Sequence, residues 1–140
     1  MKKLLLFLAL SIMLLNSAYA NTKIEVLKVY DGDSILAKIN NNIFRIRLID
    51  IDCFEGATSD RAKWQAKKFK KTVEEIVAGG NIAKNILEEK LKNKEVYFSF
   101  QGIDKYNRAL GYLYVENKNI NNQMAQTKYC TYWKPKGQTK

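Results

Sequence analysis

Tyr30-Asp31-Gly32-Asp33-Ser34-Ile35-Leu36-Ala37-Lys38-Ile39-Asn40-Asn41-Asn42, continued through Arg47-Leu48-Ile49-Asp50-Ile51-Asp52-Cys53-Phe54-Glu55, is the stretch that decides the fold. Ile35, Ala37 and Ile39 alternate with Ser34, Leu36 and Lys38; past the asparagines, Phe44, Ile46 and Leu48 alternate with Arg45 and Arg47. Such period-two alternation marks strands with one buried side. Asparagine tolerates the left-handed backbone of a tight hairpin turn, so the Asn run marks the turn. Pairing symmetric about Asn41 sets Ile35 opposite Arg47 and Asp33 opposite Ile49. Asp33 and Asp52 then share one end of the hairpin with Asp31 and Glu55. Ile49 and Ile51 fall on the arginine side, so the alternation breaks near Asp50, where a bend would aim Asp52 and Glu55 off the strand line. Folding gathers like charges here, and something positive must offset them.

Outward from this hairpin, the N-terminus reads as a leader. Lys2-Lys3, the apolar run Leu4 to Leu15 and Ala18-Tyr19-Ala20 form the three parts of a secretory signal peptide, cleaved after Ala20. The expectation is an exported protein, secreted or periplasmic, with no stable membrane association and monomeric. Residues 21–140 then form one domain. Without Lys2 and Lys3 the formal charge falls from +10 to +8. That surplus favours a polyanionic partner such as nucleic acid, an acidic membrane surface or an acidic glycan. The chain has no histidine, which excludes histidine-based zinc sites and Ser-His or Cys-His catalysis. Acid–base chemistry is left to carboxylates, lysine, tyrosine or metal-bound water. Cys53 and Cys130 allow one internal bridge, which the export signal favours.

The other elements follow from their own patterns. Lys23 to Val29 reads as a first strand. From Ser59 to Ala78 apolar residues recur every three or four positions, predicting a helix capped by Ser59 and stopped by Gly79-Gly80. A second helix is expected over about 81–91, strands over 96–100 and 110–115, and a short helix over about 121–128. Lysines 63, 67, 68, 70 and 71 line the outer side of the first helix, either as a solvated face or as a phosphate-touching one. Strands, then helices, then strands in so short a chain predict an α+β fold around a small antiparallel barrel.

A hard divalent cation takes oxygen ligands, and Asp33 and Asp52 supply two carboxylates. Glu55 lies three residues beyond Asp52, Arg47 leads into this segment, and Arg108 enters the last long strand after Asp104-Lys105-Tyr106-Asn107. A carboxylate to take a proton from water, a cation and two guanidiniums are the parts of phosphodiester hydrolysis. The blocks Val29 to Ser34, Arg47 to Glu55 and Asp104 to Arg108, in this order and spacing, resemble the thermonuclease (staphylococcal nuclease-like) family. The resemblance implies an OB-fold five-stranded antiparallel β-barrel with flanking α-helices and calcium-dependent cleavage of DNA and RNA leaving 3′-phosphates. It implies Asp33, Asp52 and the Cys53 backbone carbonyl as calcium ligands, Glu55 as general base, and Arg47 and Arg108 as phosphate-binding catalytic residues. Tyr106 and Tyr132 are the candidates for stacking bases, which suits single strands. Phe54 stands where the family usually has proline, which loosens the loop before Glu55 unless a bridge at Cys53 restrains it. Asn107 replaces a glycine and tolerates positive φ. The segment from Glu55 to the second helix is an insertion. The rival reading is a basic OB-fold module that binds nucleic acid without cutting it.

Overall fold

Alternating strands β1 (Thr22–Asp31), β2 (Ser34–Ile39), β3 (Asn42–Leu48), β5 (Val96–Ile103) and β6 (Ala109–Val115) wrap into a closed barrel in the order β3-β2-β1-β5-β6. The computed structural model describes residues 21–134; the expected leader and its cleavage site lie outside the described residues. Ile35, Ala37, Ile46, Leu48, Val96, Phe98 and Leu113 fill the barrel, each from the inward side of its strand. Four of the pairings are antiparallel, as expected. The fifth, β3 with β6, is parallel, with Ile46 opposite Ala109 and Arg47 opposite Leu110. A closed ring with an odd number of strands cannot alternate direction throughout, so one parallel seam is obligatory.

The hairpin forms where expected, with its register one residue away from symmetry about Asn41. Its two turn residues are Asn40, at φ 53°, and Asn41, which set Ile35 opposite Ile46 and Ser34 opposite Arg47. Directly opposed residues share a face of the sheet. Ile35 against Arg47 would therefore have buried a guanidinium or exposed an isoleucine.

The helices differ more from expectation. α1 (Asp60–Phe69) begins at the Ser59 cap as predicted, but it ends at Lys70, which adopts a left-handed φ of 54°. A second cap follows at once: the Thr72 hydroxyl accepts from the Glu75 N–H (3.1 Å), and the Glu75 carboxylate accepts from the Thr72 N–H (2.7 Å). From that reciprocal box α2 (Val73–Leu91) runs straight through Gly79-Gly80. It packs Ala83, Leu87 and Leu91 against one end of the barrel. The last helix, α3 (Ile120–Ala125), is shorter than predicted and capped by Asn119. Two short strands, β4 (Ile51–Cys53) and β8 (Cys130–Tyr132), form a ribbon beside the barrel, and β7 (Lys118–Asn119) extends its edge. Among the described residues, no helix is long and apolar enough to cross a membrane.

Candidate active site

The Asp31-Gly32-Asp33 turn and strand β4 meet at the rim of the barrel. Gly32 makes this approach possible: a Cβ there would lie 2.8 Å from the Ala83 Cβ and 2.9 Å from the Cys53 Cβ and Sγ. The Asp33 N–H donates to Asp31 Oδ1 (3.0 Å), closing the turn. Asp33 is buried, and its Oδ2 accepts from the Cys53 N–H at 2.8 Å. Arg47 sits between the acids, its Nη1 3.4 Å from Asp33 Oδ2 and its Nη2 3.9 Å from Asp52 Oδ1. The same guanidinium donates to the carbonyls of Leu48 and Ile51, the latter at 3.0 Å, and so spans the chain's bend. Asp50 makes that bend at φ 63°. Fully buried Asn121 holds it, donating to the Ile49 and Gly111 carbonyls (3.0 Å each) and accepting from the Leu113 N–H (3.1 Å). The positive charge that the clustered acids require is therefore Arg47, joined by a residue the sequence reading did not single out.

That residue is Arg61, on the first turn of α1. Its Nη2 donates to Asp52 Oδ2 at 2.7 Å, and its Nε lies 4.0 Å from Glu55 Oε1. One turn on, buried Gln65 ties the loop together: the Glu55 N–H donates to its Oε1 (2.9 Å), and its Nε2 donates to the Cys53 carbonyl (2.9 Å). Gln65 lies on the inward stripe Ala62–Gln65–Ala66. A polar residue inside an otherwise apolar stripe is the signal that could have found it. Arg61 had no comparable signal. Helix α1 thus flanks the acid cluster through Arg61 and Gln65.

Phe54 does not loosen the loop; it anchors it. The ring is buried with Ala62, Ala66 and Ile76 and meets Phe69 edge-on at 5.2 Å. Its N–H donates to the Tyr129 carbonyl (2.9 Å). Next to it, Cys53 and Cys130 face each other across the β4–β8 ribbon and are joined by a disulfide. Gly79-Gly80 allow this loop to lie directly on α2. A Cβ on Gly80 would overlap the Glu55 carbonyl and come within 2.6 Å of the Gly56 nitrogen, and one on Gly79 would come within 2.8 Å of the Phe54 ring. The glycine pair read as a helix stop is a landing place for the acid loop.

Burial pushes the Asp33 carboxyl well above its ordinary range; Arg47 opposes this and Asp31 adds to it. Glu55 is also raised above the ordinary 4.5, first by burial and then by the Asp31 and Asp52 charges, against the pull of Arg61 and Arg47. A carboxylate held above its usual range is a better proton acceptor at neutral pH. The Glu55 titration midpoint, followed by carbon NMR in chelator, is expected above 4.5. Arg61→Gln removes a cation that favours the ionised form, so it should move the midpoint further up. An unchanged midpoint would show that Glu55 does not sense Arg61.

Arg108 lies at the start of β6, just before the residue paired with Ile46. The parallel seam thereby sets it on the strand neighbouring Arg47. Its Nε donates to Asp104 Oδ2 at 2.8 Å, so among the described ion pairs it stands on Asp104, outside the acid cluster. Asp104 is partly desolvated, which raises its carboxyl, but hydrogen bonds from Arg108 and Tyr106 outweigh this and hold it low. Asn107 adopts φ 60°, as its place in a glycine position required. Tyr106 and Tyr132 are 68% and 60% exposed, with Tyr106 under the Arg108 guanidinium at 5.6 Å. Both rings are free to meet a ligand.

Among the described residues, no three acidic, cysteine or histidine side chains form a metal-holding group. Asp33 and Asp52 nonetheless converge on one guanidinium and are both buried. This donor set fits an oxygen-seeking cation held by two carboxylates and completed by backbone oxygens and water, not a closed cage. The Cys53 carbonyl already accepts from Gln65 and retains one lone pair.

The sequence profile of the family described as staphylococcal nuclease homologue matches residues 45–139. An uncharacterized protein of Methanocaldococcus jannaschii is 30% identical over 108 residues, covering 68% of this chain and 49% of that protein. The micrococcal nuclease of Shigella flexneri is 29% identical over 97 residues, covering 69% of this chain and 45% of the relative. The chain thus spans about half the length of the curated relatives it matches.

Proposed function

The chain belongs to the staphylococcal nuclease family, and from that premise we propose that it is an exported, calcium-dependent nuclease. It hydrolyses phosphodiester bonds of DNA and RNA with little sequence specificity, prefers single strands, works as a monomer and leaves 3′-phosphates. The observation that carries this reading is the cluster in which Asp33 and Asp52 meet Arg47, with Asp52 and the raised carboxyl of Glu55 meeting Arg61. Mere binding of a polyanion needs no clustered acids, which repel phosphate. The basic, apolar and small-residue segments of residues 1–20 support export.

In this reading Glu55 takes a proton from a water aimed at phosphorus. The water oxygen adds as the P–O5′ bond breaks, and the departing O5′ takes a proton from solvent, giving a 3′-phosphate and a 5′-hydroxyl. Arg47 and Arg108 hold the non-bridging oxygens and meet the charge that grows as phosphorus becomes five-coordinate. Asp33 and Asp52 would hold calcium, which when bound supplies positive charge beside the phosphate and the attacking water. Gln65, Phe54 and Gly80 keep the Glu55 backbone in place.

The testing experiment is release of acid-soluble nucleotides from single-stranded DNA by the purified chain with calcium, with magnesium and with chelator. Release is expected with calcium and should stop with chelator. Salt-sensitive binding without release in every condition would replace this reading with the non-cutting module.

A further inference from the structure

Trp64 on α1 has no part in the core. The helix turns Ala62, Gln65 and Ala66 inward, whereas Trp64 is 46% exposed. Two cations lie over its ring: the Arg61 guanidinium at 4.7 Å and the Lys68 ammonium at 4.8 Å from the centroid. Arg61 in turn touches Asp52 and approaches Glu55. The face Arg61–Trp64–Lys68 therefore begins at the acid cluster and leads away from it for about 10 Å of helix. Residues 60–71 contain six basic side chains and one acidic, a net +5 out of the +8 carried by residues 21–140. The positive surplus of the chain is concentrated on this helix and its end.

We propose that this outer face of α1 is a nucleotide subsite, binding the part of a single-stranded nucleic acid that adjoins the cleaved phosphodiester. A base stacks on Trp64 in place of the cation that lies over that face of the ring. The displaced cation and its fellow, Arg61 and Lys68, then engage the phosphates on either side of that base. A flat aromatic accepts any base because every base has a π-face, and flanking cations hold the backbone. A paired base presents no free face to the ring, so the subsite selects single strands. The proposal extends the nuclease reading, because it takes the acid cluster as the place of cleavage.

The test is binding by the full chain in chelator, using fluorescently labelled oligothymidylate of eight residues and an abasic octamer with the same sugar-phosphate backbone. Trp64→Ala should lower the ratio of oligothymidylate to abasic affinity about tenfold, a typical loss for one stacked base. Trp64→Phe should recover most of the ratio. Lys68→Gln should flatten the salt dependence of octamer binding by about one phosphate contact. Thermal melts that match the wild-type chain confirm that these exposed substitutions leave the fold intact. An unchanged affinity ratio in Trp64→Ala would overturn the subsite even if the chain cuts DNA. A ratio that falls in a chain that cuts nothing would keep the subsite and overturn the nuclease reading.

Discussion

Glu55→Gln is expected to slow phosphodiester cleavage by about 10³-fold, within the range that general-base catalysis contributes, while the chain stays folded. The substitution removes the proton acceptor and little else. The hydrogen bond that fixes this residue runs from its main-chain N–H to Gln65 and survives the change. The stability effect has a definite sign. The folded state raises the Glu55 carboxyl, so at neutral pH the ionised side chain works against folding. Neutral glutamine removes that opposition, and the melting temperature should stay the same or rise. Parallel rate measurements and thermal melts check both halves. Turnover within tenfold of the wild-type chain would remove Glu55 from the chemistry.

Gly80→Ala should also be damaging, although it lies in a helix and touches no carboxylate side chain. Helix propensity alone predicts a gain of about 1 kcal/mol from replacing glycine by alanine. The added methyl would instead overlap the Glu55 carbonyl and crowd the Gly56 nitrogen. Both are backbone atoms of a loop pinned by Gln65, by the buried Phe54 ring and by the disulfide, so no flexible side chain can yield. Overpacking of this kind destabilises by about 1–3 kcal/mol. A loop shifted by about 1 Å carries the base out of position, at roughly 100-fold in rate. Urea unfolding and the cleavage assay would register both losses. A Gly80→Ala chain more stable than the wild type would show that the loop does not rest on the helix.

Local patterns made much of this architecture legible. Alternation marks the first three barrel strands and aromatic-rich runs the last two, and the break at Asp50 announces the bend that Asn121 and Arg47 hold. The hairpin register was missed by one because three successive asparagines serve a turn equally well; only the demand that opposed residues share a face chooses among them. The helix boundary differs because Gly79-Gly80 has the local signature of a breaker. The Thr72-x-x-Glu75 box that starts α2 stood in the sequence, but the meaning of the glycines depends on a loop 25 residues away. Asp33, Asp52, Glu55 and Arg47 were legible as a set because two short motifs contain them all. Arg61 was not, since an arginine on a lysine-rich helix face looks like its neighbours until α1 is laid against β4. Phe54 likewise shows its role only beside Phe69 and Gly79, contacts made by tertiary packing alone.

The parallel seam bears on the order in which the molecule assembles. Asp33 and Arg47 lie on one hairpin closed by a two-residue turn, a local structure that forms in microseconds. The seam joins Arg47 to Leu110, and the β4–β8 ribbon joins Cys53 to Cys130, 77 residues apart. Contacts so distant along the chain carry a loop-closure entropy that must be overcome before they contribute, which makes them slow. The Asp33–Arg47 half of the acid cluster therefore rests on local contacts. Arg108, by contrast, reaches the strand beside Arg47 only when the ring closes, so its placement depends on the slow, long-range step.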